Sequence, residues 1–385
     1  MLANRLKGTL VHSGSHQLGQ VARGLGLDDT CTQAMQEVFR TMAASWHDLP
    51  ASGNPAWPSD VCDDHSPYEL SMTIEDSGPQ LRVLVEPMDR PASLSANRIA
   101  SLRLHEVLRR NYGINLDRLH ALENLLMPEE ARGHFVAWYS ASIGKGEALD
   151  FKAYFNLGCL GRERAPKLAE EAFRRIGFHK VWPTVVEMME RRGGGQDELC
   201  YFALDLSHRS DARAKLYFRH HRATAEFVDE FCGVARHYEP GIVTDFCRKM
   251  GGGSEGPYCS KGLVTCFNFT DPSDSRPKAV TAYFPVSHYA RNDSVIQERI
   301  SSYLKEQSLD TRPYLGAIEA CAQRSLQVGT GIHTYAAVRW MEKRPRVTVY
   351  FSPETYGRLP ASANPYHTPS LPMEMEQDES ATVLH

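Results

Sequence analysis

The sequence has no long apolar run, no strong charge imbalance and no paired-cysteine motif. No stretch approaches the ~18–20 apolar residues that a membrane-spanning helix needs, and the first residues lack the continuous apolar segment of a secretory signal. The 43 Lys and Arg nearly balance the 47 Asp and Glu, so overall charge does not favour nucleic acid as a partner. With 42% hydrophobic residues, these absences favour a globular cytoplasmic protein.

Motifs of metal and phosphate chemistry are also missing. None of the nine cysteines forms a CxxC pair, which favours reduced, buried thiols over a disulfide framework. There is no GxxxxGK[ST] phosphate loop and no DDxxD or NDxxD segment, because Asp28–Asp29 and Asp63–Asp64 are isolated pairs in polar stretches. His220–His221 has no third ligand at metal spacing and is expected at the surface. We therefore predict no bound metal.

Five pairs of alternating segments predict five β-hairpins. Each pair is rich in β-branched and aromatic residues and is joined by Gly, Pro, Asp or Ser. The paired segments are 68–74 with 80–87, 134–141 with 149–156, 199–206 with 212–219, 262–269 with 279–286, and 331–340 with 346–353. Helical periodicity lies outside the hairpins, over 92–112, 163–177, 223–236, 294–307 and 312–325. Hairpins begin about 65 residues apart, which is typical of a repeated supersecondary unit.

This repeat predicts an α+β fold. Ten antiparallel strands inside a ring of helices favour one closed barrel, because closure removes the exposed strand edges. We expect residues 1–357 to form this single barrel domain. The segment 358–385 is rich in Pro, Ser and Glu and is predicted to be a disordered tail.

One face of the predicted strands is polar. Residues i and i+2 of a strand share a face, so Arg213, Lys215 and Tyr217 alternate with apolar neighbours. The same face of the other hairpins carries Glu69, Arg82, Lys152, Tyr154, Tyr283, Tyr335, Arg339 and Tyr350. A ten-stranded barrel is wider than the eight-stranded size that side chains just fill. We predict that this face lines a lumen that binds an anion together with an aromatic or cationic group; a solvated outer face is the alternative.

The segments PYELS, DFKAYF, ARAKLYF, TAYFP, HTYAAVRW and VTVYFSPETY resemble the aromatic prenyltransferases of the dimethylallyltryptophan synthase type. The resemblance covers about residues 60–357. It implies a prenyltransferase barrel of repeated α-β-β-α units, the ABBA fold. It also implies transfer of a dimethylallyl group from dimethylallyl diphosphate to an aromatic ring, commonly the indole of tryptophan. No metal or other cofactor is required by this chemistry, since cationic side chains take the place of Mg²⁺.

The resemblance also implies roles for individual residues. The diphosphate-binding positions match Arg82, Lys152, Arg213, Lys215 and Arg339, whose charges would stabilise the departing diphosphate. The shield that excludes water from an allylic cation matches Tyr154, Tyr217, Tyr283, Tyr335 and Tyr350. Glu69 matches the glutamate that accepts a hydrogen bond from the indole N–H. Glu69, Lys152 and Lys215 are the expected catalytic residues, and Glu69, Trp138 and Asn156 the expected acceptor contacts.

The sequence departs from the family at a position that helps to determine which indole carbon is alkylated. Members that alkylate indole C4 carry a lysine base in the strand before the K-x-Y strand. The corresponding segment, HFVAWYSA, has no lysine, and Trp138 or Tyr139 lies near that place. This disfavours C4 and favours another ring carbon, such as C5, C6 or C7, of which we predict C6. Thr281 and Asn156 replace a glutamine and a tyrosine of some relatives, which leaves the acceptor open.

Two other interpretations fit the same residues. One is prenylation of a non-tryptophan acceptor, such as a cyclic dipeptide, a xanthone or a naphthalene. The other is a non-catalytic barrel that binds an anionic or aromatic small molecule. Only prenyl transfer explains why tyrosines accompany the cations on every strand set.

Overall fold

Ten antiparallel strands close into a barrel in the computed structural model, which describes residues 8–193, 195–342 and 344–356. The strands are β1 (Tyr68–Glu75), β2 (Gly78–Val85), β3 (Ala137–Gly144), β4 (Asp150–Asn156), β5 (Asp197–Asp205), β6 (Ala214–His220), β7 (Leu263–Phe269), β8 (Ala279–Phe284), β9 (His333–Trp340) and β10 (Pro345–Phe351). Each strand pairs with its neighbours along the chain, and β1 pairs with β10 to close the barrel. The predicted α+β barrel and its five hairpins are confirmed.

The helices form a layer around the barrel. They are α1 (Leu10–Gly24), α2 (Asp29–Met42), α3 (Leu94–Tyr112), α4 (Asp117–Leu126), α5 (Ala165–Arg175), α6 (Trp182–Glu190), α7 (Ala225–Cys232), α8 (Ile242–Met250), α9 (Asp293–Glu306) and α10 (Arg312–Cys321). Within the described residues, no helix has both the length and the apolar character needed to cross a bilayer. The five predicted helical segments correspond to α3, α5, α7, α9 and α10.

Helices α1 and α2 were not predicted. The sequence of α1, LVHSGSHQLGQVARG, contains several Gly and Ser, which are poor helix formers, so its helical signal is weak. The glycines serve packing: a Cβ atom on Gly24 would lie 2.4 Å from the carbonyl oxygen of Gly316 in α10. The side chains of Thr9 and Asp28 cap the first turns of α1 and α2, which satisfies backbone donors there.

The barrel wall separates an apolar outer face from a polar lumen. Outward-facing residues such as Phe202, Leu216 and Phe218 are fully buried under the helices. Residues directly opposite each other on neighbouring strands share a face, and the register aligns Lys152 with Asp205, and Ala203 with Lys215. The alternation along each strand therefore directs the predicted polar set inward, as expected.

Histidines on two of the barrel strands are buried, and the prediction for one of them was wrong. His220 was expected at the surface, but it is fully buried. Its Nδ1 lies 2.6 Å from Oδ1 of Asp197, and its Nε2 lies 2.8 Å from Oγ1 of Thr265. The strand extends one residue further than the apolar pattern indicated, and His220 faces outward under α7. His333 of β9 is likewise buried, beside Asp293.

The cysteines are free thiols, and all except Cys259 are buried. Their burial agrees with the prediction of buried thiols, from which Cys259 departs. All ten strands lie between residues 68 and 351, within the predicted domain of residues 1–357. The predicted disordered tail, 358–385, lies outside the described residues and stays a prediction.

Candidate active site

A cavity of about 710 Å³ opens at one end of the barrel. Among the described residues, eight basic ones line it, against three acidic ones. The basic residues are Arg82, Lys152, Arg209, Arg213, Lys215, Lys278, Arg339 and Arg346. All five residues predicted to bind diphosphate are therefore together in one cavity, and its charge suits a multiply charged anion.

The barrel register determines how these cations converge. Arg82 lies opposite Ser71 on the neighbouring strand, and Arg339 lies opposite Arg346. The buried Nε atoms of Arg82 and Arg339 have no hydrogen-bond partner among the described residues. Buried donors normally have partners, so these two groups are ready to bind an anionic ligand.

Three of the basic residues that line the cavity were not predicted from the sequence. Arg346 could have been found, because it shares a strand face with Tyr350 at even spacing. It contacts Oε1 of Gln80 at 2.8 Å and lies 3.5 Å from a carboxylate oxygen of Glu75. Arg209 and Lys278 lie outside the strands, where strand alternation gives no signal.

The two cavity lysines are deeply buried, and their pKa values are low. Burial, together with Arg213, lowers the pKa of Lys215 to about 7. Burial also lowers the pKa of Lys152 to about 8, although Asp150 acts in the opposite direction. The Lys152 ammonium donates a hydrogen bond to Asp150. The positive charge of the cavity is thus sensitive to pH near neutrality.

Four tyrosines form a continuous belt at the inner end of this cavity. Ring centroids lie 6.3 Å apart for Tyr154 and Tyr217, 6.1 Å for Tyr217 and Tyr283, and 5.8 Å for Tyr283 and Tyr350. All four line the cavity. Their π-faces border the space next to the cationic side chains, where an allylic cation would be stabilised.

Tyr335 is the fifth tyrosine of the expected shield, and its place in the shield stays a prediction. It lies two residues from Ala337, which is the cross-strand partner of Tyr283. Two residues of a strand span about 7 Å, so Tyr335 lies further along the barrel than Tyr283. Its ring is 5.2 Å from Nζ of Lys261, and it does not line the cationic cavity.

Glu69 lies beyond the belt, in a buried position on β1. One of its oxygens accepts a hydrogen bond of 2.7 Å from the hydroxyl of Thr334. Burial raises the pKa of Glu69 to about 8, although the Thr334 bond and Arg82 lower it. Glu69 can therefore accept a hydrogen bond in the interior of the barrel, outside the cationic cavity that the four tyrosines line.

Trp138 closes the same part of the barrel with an aromatic wall. It lies opposite Tyr154, stacks on Phe135 at 3.7 Å, and lies 5.5 Å from the ring of Tyr201. Leu84, the cross-strand partner of Glu69, packs against this cluster. Trp138 thus lies near the part of the barrel that holds Glu69, and its contact with an acceptor stays a prediction.

Asn156 has a structural use that the sequence did not indicate. Its amide donates to the carbonyl of Phe135 at 3.3 Å, and its Oδ1 accepts from the backbone N–H of Gly158 at 2.8 Å. These bonds fasten the end of β4 next to the aromatic wall. A direct contact between Asn156 and an acceptor stays a prediction.

A second cationic site lies beyond the belt and was missed. The Arg219 guanidinium donates to the Tyr201 hydroxyl at 2.9 Å, and its charge acts on the Glu198 carboxylate, whose pKa it lowers. Arg219 continues the inward-facing series of Lys215 and Tyr217 by two residues, which was the available signal. Lys261 lies at this end too, 3.0 Å from Asp63.

The described residues contain no group of three or more His, Cys, Asp or Glu side chains placed to hold a metal ion. The acidic pairs named above have other partners. Asp63 contacts Lys261, and Asp64 accepts hydrogen bonds from Ser66 and Ser352.

A closed ten-stranded barrel with a cationic cavity, a tyrosine belt and a buried carboxyl group beyond it defines an aromatic prenyltransferase of the ABBA type. The sequence profile of the tryptophan dimethylallyltransferase family matches residues 41–314. The chain belongs to this family.

Individual relatives agree with this assignment. The 6-dimethylallyltryptophan synthase of Micromonospora olivasterospora, whose crystal structure is a complex with DMASPP and Trp, is 30% identical with a TM-score of 0.85, covering 91% of this chain and 99% of that one. The 5-dimethylallyltryptophan synthase of Streptomyces coelicolor is 29% identical with a TM-score of 0.83, covering 91% and 99%. A 4-O-dimethylallyl-L-tyrosine synthase of Claviceps purpurea (strain 20.1) is 26% identical over 347 residues, which is 78% of this chain and 77% of that protein.

Proposed function

We propose that this prenyltransferase transfers a dimethylallyl group from dimethylallyl diphosphate to the indole ring of L-tryptophan, without a metal ion. The observation that carries the proposal is the division of the lumen. Cations gather on one side of the tyrosine belt, and a buried carboxyl group lies on the other. A diphosphate ester and a neutral aromatic ring therefore each have a matching compartment, and the belt lies where they meet.

The residues support a stepwise electrophilic substitution. The bond between C1 of the prenyl group and the diphosphate oxygen breaks, and its electron pair leaves with the diphosphate. Arg82, Lys152, Arg213, Lys215 and Arg339 stabilise that charge. The tyrosine belt stabilises the allylic cation and excludes water. The ring carbon then forms the new C–C bond, and loss of its proton restores the aromatic ring.

Glu69 orients the acceptor in this proposal. A hydrogen bond from the indole N–H to its carboxylate raises the electron density of the ring and fixes its position. The contact between the Glu69 oxygen and Thr334, at 2.7 Å, holds the carboxyl group in place for this bond.

Arg219 favours a free amino acid as the acceptor. Its guanidinium has a hydroxyl partner, Tyr201, and can pair with a carboxylate on the acceptor side of the belt. This contact would distinguish tryptophan from tryptamine. It would equally serve L-tyrosine, the amino acid named for the relative from Claviceps purpurea.

For the ring position we propose C6 and disfavour C4. The lumen residue opposite Tyr154 is Trp138, so the strand before the K-x-Y strand offers no lysine base there. A 6-dimethylallyltryptophan synthase and a 5-dimethylallyltryptophan synthase have nearly equal identity to this chain, so the product itself must decide between those carbons. We place the enzyme in the cytoplasm, as the composition indicates.

The test is a direct assay. The pure protein is incubated with dimethylallyl diphosphate and L-tryptophan in the presence of EDTA, with L-tyrosine and tryptamine as parallel acceptors. We expect tryptophan to gain one dimethylallyl group by mass spectrometry, with an NMR coupling pattern that identifies C6. Loss of activity with EDTA would contradict metal independence. No product with any indole, L-tyrosine or longer prenyl diphosphate would favour the non-catalytic binding barrel.

A further inference from the structure

A buried carboxylate lies among the cations of the proposed diphosphate site. Asp205 ends β5 directly opposite Lys152. Its Oδ2 accepts hydrogen bonds from the backbone N–H of Arg213 at 3.1 Å and from Nε of the same residue at 2.5 Å. Its Oδ1 lies 3.3 Å from Nζ of Lys215. A negative charge here opposes binding of an anion, so its presence needs a physical reason.

The reason is that burial lowers the pKa of a lysine side chain. An ammonium group removed from water loses its proton unless an anion lies nearby. Lys152 and Lys215 are both buried. Asp205 raises the pKa of each, against burial and the neighbouring arginines. Burial would raise the pKa of Asp205 itself, but Lys215, Arg213 and Lys152 hold it well below its usual range.

We propose that Asp205 is a positioning residue that serves as an internal counter-anion: it keeps Lys215 and Lys152 protonated and Arg213 oriented in the empty cavity, until the diphosphate replaces it as their partner. This inference rests on the proposed function, because it requires a diphosphate substrate. The exchange is geometrically simple. Oδ1 of Asp205 has no hydrogen-bond partner among the described residues. Its ion-pair contact to Lys215 is long, so a phosphate oxygen that comes closer to the ammonium group can replace it.

Other ionisable groups face Lys215 from every neighbouring strand and must be considered in any pH study. They are Arg82 from β2, Asp150 and Lys152 from β4, Asp205 from β5, Cys266 from β7, Arg339 from β9, Arg346 from β10, and Arg213 just before β6. Of the two carboxylates in this set, Asp150 is partly exposed and bonds Lys152. Asp205 is buried and is the one in contact with Lys215.

The test measures binding of inorganic pyrophosphate and of dimethylallyl thiolodiphosphate by calorimetry, from about pH 6 to about pH 9. Pyrophosphate itself gains negative charge over this range, so each variant is compared with the native enzyme at the same pH. Loss of the Lys215 proton above about pH 7 weakens binding to the free native enzyme. In Asp205→Asn, Lys215 loses its proton at lower pH, whereas repulsion of the ligand by Asp205 is gone. The two affinity curves should therefore cross. Near pH 6 Asp205→Asn should bind the ligand as tightly as the native enzyme or more tightly. Near pH 8.5 it should bind about tenfold more weakly than the native enzyme for each unit by which the lysine pKa falls.

A carboxylate outside the cavity provides the matched control. Asp274, in the connection between β7 and β8, is paired with Arg236, does not line the cavity and has no contact with Lys215. Asp274→Asn removes the same charge and should leave the pH dependence unchanged. Asp205→Glu, which restores the charge, should return the curve towards that of the native enzyme.

Specific outcomes overturn the proposal. Parallel curves for Asp205→Asn and the native enzyme, displaced in either direction or not at all, would show that Asp205 does not control protonation. If Asp205→Asn does not fold, Lys215→Arg gives an independent measurement. Arginine stays charged over this pH range, so the affinity of this variant relative to the native enzyme should increase above pH 7, and a constant ratio would refute the inference. Absence of pyrophosphate binding to the native enzyme at every pH would overturn the proposed function as well.

Discussion

Replacement of Glu69 tests the acceptor half of the proposed site. Hydrogen bonds to charged groups contribute about 1.5–3 kcal/mol. Glu69 is buried, and its partner Thr334 is buried as well, so water cannot easily take over the role of the carboxylate. We therefore expect Glu69→Ala to lower kcat/KM for L-tryptophan by about 10-fold to 150-fold, since each 1.4 kcal/mol is a factor of ten. Glu69→Gln, which keeps an acceptor oxygen but loses the charge, should fall between Ala and the native enzyme.

The assay includes an isosteric acceptor that cannot donate. In 3-benzothienyl-L-alanine, sulfur replaces the indole N–H, so Glu69 has no hydrogen bond to lose. The effect of Glu69→Ala should therefore shrink to a few-fold with this substrate, while the KM for dimethylallyl diphosphate stays near the native value with both acceptors. Equal losses with both acceptors, or an equal loss of diphosphate binding, would refute the assignment of Glu69 to the indole N–H.

The pH dependence gives a second check on the same residue. Because burial raises the pKa of Glu69 to about 8, the carboxylate form increases as pH rises through that value. At saturating donor the cavity lysines are paired with diphosphate and stay charged. The value of kcat/KM for tryptophan should then rise between about pH 6.5 and about pH 8.5, and Glu69→Gln should remove this rise. A rise that persists in Glu69→Gln would assign it to another group.

Three further substitutions test other parts of the molecule. Lys215→Ala should lower kcat/KM for dimethylallyl diphosphate about 100-fold, because it removes a buried cation from the cavity; near-native steady-state kinetics would remove it from the diphosphate site. Arg219→Leu should raise the KM for L-tryptophan about tenfold or more and leave tryptamine unaffected, whereas similar changes for both acceptors would exclude a carboxylate contact. His220→Leu should lower the free energy of unfolding in urea by about 2–4 kcal/mol, because Asp197 and Thr265 lose a buried partner, with kcat unchanged; unaltered stability would show that the pair adds nothing.

The sequence predicted the cationic cavity well because its members lie at even spacing on strands. Period-two alternation identifies which residues share a face, and that was enough for Lys152, Arg213 and Lys215. The same argument could have reached Arg219 and Arg346, which extend the series on β6 and β10. It could not reach Arg209 or Lys278, since residues in connections have no strand periodicity.

Strand alternation leaves two properties of a residue undetermined: its depth in the barrel and whether a helix covers it. Alternation gives the face of a residue but not its depth along the barrel axis, which depends on how each strand is staggered against its neighbours. Tyr335 has the correct face for the shield, yet it does not line the cationic cavity, and its place in the shield stays a prediction. His220 was misjudged because a polar residue at a strand end signals solvent, whereas α7 covers it in the folded protein.

By itself, the sequence determined the five hairpins, their antiparallel order and the polar face of each strand, because these follow from local periodicity and turn chemistry. Only the tertiary structure decided which side chains meet. The register of β4 and β5 aligns Lys152 with Asp205, and Glu69 lies outside the cationic cavity that four tyrosines line. Those contacts join residues far apart in the chain, and their geometry is set by register and closure rather than by composition.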